Sequence, residues 1–191
     1  QGPNGEPLNQ VVPKIAYLPP FAGITDREPL HSVAMRNRLL GQGLSGAVIR
    51  NVLFDLAAQN KKSRNILRGA KKKISSSDLA NLREHDPWEL LQKALASMFG
   101  IGLKIDDFDD RYHAQLLVEA YKAKIDARGV PKKEGDESSH DLMVEGSGFL
   151  QWLSVYALAL SPDTDVILLD EPDAHLHCSL QLELVRLLST L

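Results

Sequence analysis

The sequence has little of several features that would each point to a particular kind of protein. It contains one cysteine, Cys178, among its 191 residues, which excludes an internal disulfide framework and suits a reducing compartment. No apolar stretch reaches the length of a membrane span, and no signal-peptide pattern opens the chain. The net charge of −3 argues against a uniformly basic surface for nucleic acid. These absences predict a soluble, intracellular, cytoplasmic protein.

A phosphate-binding P-loop is also missing. Gly41 and Gly46 have the spacing of its glycines, but Ala47 and Val48 follow where the motif needs Lys and then Ser or Thr. Without the lysine no charge reaches the β- and γ-phosphates, and without the hydroxyl Mg²⁺ loses a ligand. We therefore reject this pair of glycines as a nucleotide site. No other P-loop motif occurs in the sequence.

The most informative stretch that is present is the apolar run 166–169, followed at once by Asp170, Glu171 and Pro172. The run predicts a strand buried on both faces of a parallel sheet, because a half-exposed strand would alternate apolar and polar residues. Ligands of open α/β sheets bind beyond the carboxyl ends of the strands. The two carboxylates are therefore expected at the mouth of a ligand crevice.

Two adjacent carboxylates at that place suit nucleotide hydrolysis. Asp170 can hold Mg²⁺, usually through the waters that this ion keeps. Glu171 can orient or deprotonate the attacking water. The alternative is an acidic strand end that merely starts a turn.

A second feature lies upstream, where Gly146, Ser147 and Gly148 precede the apolar segment 152–160. A glycine-rich turn directly before a helix offers free backbone N–H groups and a positive dipole end to a phosphate. Such a turn is weak evidence alone. The order is more specific: the turn with Gln151, a helix of about twelve residues, a short loop, and then the apolar strand that ends in Asp-Glu-Pro.

This order resembles the second half of an ABC-type ATPase head, in the SMC, RecF and OLD-like branch of the P-loop NTPases, which includes AAA-type ATPases of prokaryotes. The similar motifs are the signature motif (Gly146, Ser147, Gly148 and Gln151), Walker B (166–171) and the D-loop (Asp173, Ala174, His175, Leu176 and His177). The string 170–177 is close to the Glu-Pro-x-x-His-Leu-His form of the OLD-like proteins. Residues 14–21 resemble a strand and loop of the same family.

The resemblance implies a fold class: α/β, with a partial P-loop NTPase (ABC ATPase-like) sheet, a helical lobe and a small antiparallel β element. Residues 1–30 would be a strand and loop of the ATPase core. Residues 31–140 would form the helical lobe with a β-hairpin insertion. Residues 141–191 would carry the signature motif, Walker B and the D-loop.

The resemblance also implies ATP and Mg²⁺ as cofactors and a homodimer of heads with ATP between them. Ser147 and its neighbouring amides would meet the γ-phosphate of the nucleotide held by the other head. Asp170 and Glu171 would serve the P-loop of their own head. Because that P-loop is absent, we expect these residues to be part of a longer protein, which hydrolyses ATP in a DNA- or defence-related process. The isolated 191 residues are expected to bind nucleotide poorly or not at all.

The resemblance implies that three D-loop residues contact the opposite subunit near the nucleotide: Asp173, His175 and His177. With Cys178 they could instead be metal ligands, but their tight spacing matches no common zinc pattern. The rival from another functional class is a non-catalytic lobe of a degenerate ATPase that binds nucleic acid or protein.

A basic segment at 61–73 is relevant to the alternative that the chain is a nucleic-acid-binding lobe. It contains no acidic residue, and its cations could contact a phosphate backbone or could line a solvated linker. The basic residues are Lys61, Lys62, Arg64, Arg68, Lys71, Lys72 and Lys73. The acidic segment 106–110 lacks the glycine and glutamate of a calcium loop and is predicted to be a solvated turn.

Local signals predict several helix ends. A helix is expected over 32–40, and Ser45 is expected to cap the next one. Asp86 should cap a further helix with Pro87 at its first position and Glu89 completing a capping box, and Gly100 should end it. Residues 111–125 suit a strand or a helix equally by periodicity, and the resemblance favours a strand.

Overall fold

The structure, a computed structural model, describes residues 13–20, 23–69, 73–127, 129–135, 138–171 and 176–190. These form a mixed α/β fold. The helices are α1 (Val33–Gly41), α2 (Ile49–Arg68), α3 (Ser76–His85), α4 (Pro87–Phe99), α5 (Ser147–Leu160) and α6 (Cys178–Leu188). The strands are β1 (Ile15–Leu18), β2 (Ile101–Ile105), β3 (Val118–Ile125), β4 (Pro131–Lys133), β5 (His140–Asp141) and β6 (Val166–Leu169). No described helix is both long and apolar enough to cross a bilayer.

Strands β1 and β6 pair in parallel, with Ile15 opposite Val166 and Leu18 opposite Leu169. Ala16 and Leu18 of this sheet face the core. On the opposite face Val166 is 40% exposed and Leu168 50% exposed. The prediction that β6 is buried on both faces is therefore wrong: in the described part of the chain, β6 pairs with β1 and its second face stays open.

The second sheet is antiparallel, in the order β2–β3–β4, with β5 also paired to β3. Segment 111–125, which periodicity left open, contains strand β3, whose Val118, Ala120 and Ala123 are buried. Gln92 of α4 joins the helices to this sheet, because its amide accepts the Leu103 N–H at 3.0 Å and donates to the Leu103 carbonyl at 2.6 Å.

Helix α5 lies at the centre of the core. It is apolar on all sides, as buried helices are, and it contacts α2, α4 and α6. Trp152 has no exposed surface, and its ring lies 5.3 Å from that of Phe99 and 5.0 Å from that of Tyr156. The helix after the signature-like turn is thus part of the main core.

The structure confirms most predicted helix ends and corrects two details. Ser32 caps α1, Asp86 caps α4, and Gly100 ends α4 in the left-handed conformation. Ser45 does not cap α2, because residues 45–47 form a 3-10 turn and α2 begins only at Ile49. Glu89 does not complete a capping box, because its Oε1 accepts hydrogen bonds from Asn60 and Arg64 of α2 instead.

Candidate functional site

Asp170 stands at the carboxyl end of the parallel sheet. Its N–H donates to the Leu18 carbonyl at 2.9 Å, so the parallel ladder extends one residue past β6. Its side chain is exposed, and Oδ2 accepts a hydrogen bond from the Tyr17 hydroxyl at 3.3 Å. Oδ1 accepts no hydrogen bond from the part of the chain that the structure describes. The carboxylate is therefore held on one oxygen and open on the other.

Tyr17 is a neighbour of this site that sequence reasoning missed. Partial burial of its hydroxyl raises the pKa of Tyr17, and the negative charge of Asp170 and the hydrogen bond between them raise it further. The ring rests on Gly43, where an added Cβ would lie 3.1 Å from the Tyr17 Cδ1 atom. Tyr17 reaches Asp170 only because β1 pairs in parallel with β6, and no local sequence pattern predicts that pairing.

Glu171 has a backbone φ of +48°, in the left-handed region that non-glycine residues rarely occupy. Such a conformation costs free energy and is found disproportionately at functional sites. The side chain is exposed and forms no hydrogen bond or ion pair with other described residues. Glu171 thus has no partner among the described residues and lies at a bend of the chain, directly beside Asp170.

The signature-like turn leads into α5 with an open helix terminus. Gly146 occupies the N-cap position, no side chain caps the helix, and its first turn contains no acidic residue. Gly146 and Ser147 are exposed. The first N–H groups of a helix have no intrahelical acceptor, and they carry the positive end of the helix dipole. This terminus can therefore receive an anion.

Gln151 points from α5 toward the strand end. It is 5% exposed, and together with Asp170 it lines a small pocket of about 10 Å³ whose other walls include Ser45. In contrast, no hydrogen bond joins Ser147 to Asp170 or Glu171 within the described ranges. The structure thus brings Gln151 to the same pocket as Asp170.

The D-loop residues are described only in part. Asp173 and His175 lie outside the described residues. His177 is the N-cap of α6, and its Nδ1 lies 3.0 Å from the Ser179 hydroxyl and 3.4 Å from the Ser179 backbone nitrogen. Cys178 is exposed. No group of three or more His, Cys, Asp or Glu side chains suited to a metal ion occurs among the described residues.

Of the two glycines that have P-loop spacing, Gly46 is explained by packing. A Cβ on Gly46 would lie 2.1 Å from the carbonyl oxygen of Gly23, so no larger residue fits there. The Gly46 carbonyl accepts the Thr25 N–H at 2.9 Å, which ties this turn to the loop after β1. Packing against the loop after β1 thus accounts for the glycine at position 46.

The basic residues of segment 61–73 fall into those that form ion pairs and those that do not. The ammonium of Lys61 lies 2.6 Å from Asp107, and the guanidinium of Arg64 pairs with Glu89. Three of its residues are exposed and form no ion pair with any other described residue: Lys62, Arg68 and Lys73. Lys71 and Lys72 lie outside the described residues.

The strand end fits a magnesium ion of the kind that accompanies a nucleotide. Such an ion takes one or two protein carboxylates and otherwise keeps its waters and binds phosphate oxygens. The open Oδ1 atom of Asp170 and the free carboxylate of Glu171 match this requirement.

Comparison with known proteins places the chain in a family. The model of the family described as "AAA domain, putative AbiEii toxin, Type IV TA system" matches residues 26–191. No curated protein and no solved structure matched the chain. The matched part contains the signature-like turn, β6 and both strand-end carboxylates, and the family indicates an ATPase domain of the AAA, P-loop type. The chain therefore belongs to the family of AAA domains described as putative AbiEii toxin, Type IV TA system.

Proposed function

We propose that the chain is part of an ATP-hydrolysing head of the ABC type, in the SMC, RecF and OLD-like branch, which dimerises around ATP. One observation carries the proposal. The chain exposes two complementary half-sites, the carboxylates Asp170 and Glu171 and the open terminus of α5 at Ser147, and no hydrogen bond joins them within the described residues. Two half-sites of one head that serve two different nucleotides account for this arrangement.

The side chains divide the chemistry between them. Asp170 would hold Mg²⁺, which would supply positive charge to the phosphate oxygens. Glu171 orients the attacking water and accepts its proton. The free N–H groups of α5 and the Ser147 hydroxyl donate to the γ-phosphate of the nucleotide on the other head. Gln151, beside Asp170, helps to line the nucleotide site of its own head, and Asp173, His175 and His177 contact the opposite head.

The P-loop of this head is proposed to come from a segment outside these 191 residues. The open face of the parallel sheet supports that proposal, because parallel strands are normally covered on both faces. Its apolar side chains Ile15, Val166 and Leu168 are each at least 40% exposed. Further elements of the nucleotide-binding core would cover this face.

The test is ATP hydrolysis by the full-length protein with Glu171→Gln. Loss of the water-orienting carboxylate should lower kcat by about 10²–10⁴-fold. ATP binding should remain, because Asp170 is unchanged, and the dimer should accumulate since its ATP is not consumed. Glu134→Gln is the matched control, since Glu134 is an exposed carboxylate at the end of β4 and should leave the rate unchanged. Unchanged hydrolysis in Glu171→Gln would show that this strand end is not the catalytic centre.

A second candidate function is nucleic-acid binding by the lobe. It is favoured by the exposed cations Lys62, Arg68 and Lys73, which no acidic residue in the described ranges neutralises. Such cations release counterions from a phosphate backbone when they bind it.

A further inference from the structure

The N-terminus of α2 is the meeting point of three segments of the chain. Glu28, in the loop after β1, has no exposed surface. Its Oε2 accepts the Arg50 N–H at 2.9 Å, and its Oε1 accepts the Asn51 N–H at 2.7 Å. These N–H groups belong to the first turn of α2, which has no intrahelical acceptors for them. A buried carboxylate from a distant loop thus caps the helix that Ser45 was predicted to cap.

Asn51 fastens the same loop a second time. Its side-chain amide donates to Glu28 at 2.7 Å and to the Pro29 carbonyl at 2.9 Å. Its Oδ1 accepts the His31 N–H at 2.8 Å. The loop that leads away from β1 is therefore bound to the start of α2 along residues 28–31.

The Arg50 side chain reaches the third segment. It is 1% exposed, and its Nη2 donates to Oδ1 of Asp141 at 2.9 Å. The same oxygen accepts the Met143 N–H at 2.8 Å. Leu142, between these two residues, has no exposed surface and belongs to the core. Arg50 thus holds the chain just before the signature-like turn.

The Arg50 side chain leaves part of its hydrogen-bonding capacity unused. The Nε and Nη1 atoms of Arg50 are buried and have no hydrogen-bond partner in the described part of the chain, so Asp141 is its single acceptor there. A buried guanidinium with unused donors is costly, because its lost hydration is only partly replaced by hydrogen bonds. Arg50 supplies a fixed position for Asp141 and a positive charge that acts on the buried carboxylate of Glu28.

We propose that Arg50 is a positioning residue that fixes the signature-like turn, Gly146–Gly148, relative to the loop that follows β1. The segment before the signature-like turn and the loop that follows β1 are then anchored to one point, the first turn of α2. The catalytic consequence rests on the proposed function: two half-sites that close on two nucleotides at once need a fixed spacing. The structural part of the inference does not depend on it.

The structural part is tested by hydrogen exchange in the full-length protein with Arg50→Met. The Met143 amide and its neighbours over 142–147 should exchange about tenfold faster or more, since local opening is no longer opposed by the Arg50–Asp141 contact. Arg36→Met is the matched control, because Arg36 is also a buried arginine, and it pairs with Asp55 rather than with this segment. It should leave exchange over 142–147 unchanged. Equal exchange in wild type and Arg50→Met would overturn the inference.

The catalytic part is tested by steady-state ATP hydrolysis of the same variants. Arg50→Met should lower kcat by about tenfold while KM for ATP changes little, because a displaced donor turn affects the reaction more than nucleotide binding by the same head. Arg50→Lys should recover part of kcat, since an ammonium can still reach Asp141. Faster exchange with unchanged kcat would overturn the catalytic part. A wild type that does not hydrolyse ATP would overturn the proposed function while leaving the exchange result valid.

A second variant keeps the test decisive if Arg50→Met does not fold. Asp141→Asn retains an oxygen that can accept the Met143 N–H but removes the negative charge that holds Arg50. It should accelerate exchange over 142–147 by a smaller factor than Arg50→Met is expected to. No acceleration in a folded Asp141→Asn would count against the inference.

Discussion

The packed helices and the parallel sheet contain equally apolar segments that are buried to different extents. Leu95 of α4 and Leu153 of α5 have no exposed surface, whereas Leu168 of β6 is 50% exposed. The apolar side chains of α4 and α5 meet other helices, and α4 also meets the antiparallel sheet. One face of β1 and β6 meets no such layer within the described residues. Leucines are fully buried where helices and sheets pack against one another, whereas the described residues leave one face of the parallel sheet without a covering layer.

The largest effect expected from this comparison is on stability. Leu95→Ala should lower the free energy of unfolding of the 191-residue chain by about 2–5 kcal/mol, because it leaves a cavity in a packed core. Leu168→Ala should change it by no more than about 0.5 kcal/mol, because that side chain already meets solvent. Urea unfolding of both variants measures the difference, and similar losses would contradict the contrast between lobe and sheet.

The same two variants, Leu95→Ala and Leu168→Ala, can also be measured in the full-length protein. If further elements of the core cover the sheet, the cost of Leu168→Ala should rise to about 2 kcal/mol or more, as for a buried leucine. The cost of Leu95→Ala should stay the same in both proteins. A Leu168→Ala cost that remains small would rule out the proposed cover over this face.

The sequence allowed accurate prediction where the signal is local. Ser32, Asp86 and Gly100 sit at helix ends because their own side chain or backbone conformation satisfies the adjacent turn. Strand β6 was placed correctly, but its burial was not, because burial depends on what lies over a strand. Ser45 has the chemistry of a cap, yet Glu28 takes that role through a contact that joins distant parts of the chain.

In the candidate site, too, residues with a local sequence signal were predicted and residues that depend on distant contacts were not. The strand-end pair Asp170 and Glu171 stands out in the sequence because an apolar run stops at two carboxylates, and their roles stay predictions. Tyr17 and Arg50 could not be found this way. Each reaches its partner only through strand pairing or helix packing, and neither has a motif around it.

A smaller effect is expected at the junction of lobe and sheet, where Glu28 binds α2. Burial raises the pKa of Glu28 above the ordinary value of 4.5, against the opposing effect of the hydrogen bonds from Asn51 and Arg50 and of the Arg50 charge. Between 4.5 and the raised pKa the folded protein therefore holds a proton that the unfolded chain has released. The contribution of protonated Glu28 to the free energy of unfolding is therefore fully present below pH 4.5. It is lost as the pH rises from 4.5 through the raised pKa of the folded state.

Glu28→Gln removes this titration. The stability advantage of wild type over the variant should be largest at low pH and should fall to a constant as the pH rises. That constant should be about 1 kcal/mol or more, because the Gln NH₂ group cannot accept the N–H bond that one carboxylate oxygen accepts. Urea unfolding of both proteins at several pH values measures the difference. Parallel curves over the whole range would show that Glu28 does not titrate in this way.

The smallest effect concerns two kinds of cation at the end of α2. Lys61 and Arg64 are held by Asp107 and Glu89, while Lys62, Arg68 and Lys73 form no ion pair with described residues. A cation already paired with a carboxylate must give up that partner before it binds a phosphate. The free cations should therefore dominate any contact of the lobe with nucleic acid.

This expectation is tested by DNA binding over a salt series, with Lys62, Arg68 and Lys73 changed together to serine. Each lost phosphate contact should reduce the slope of log affinity against log salt by about 0.9, so the triple variant should lose up to about 2.7. The matched control changes Lys124 and Lys132, exposed lysines of the antiparallel sheet that are paired with Glu134 and Asp126, and should keep the slope. If wild type shows no salt-sensitive binding, these cations only solvate the end of α2. If the control loses as much slope as the triple variant, the contact is a general property of surface charge and not of this helix end.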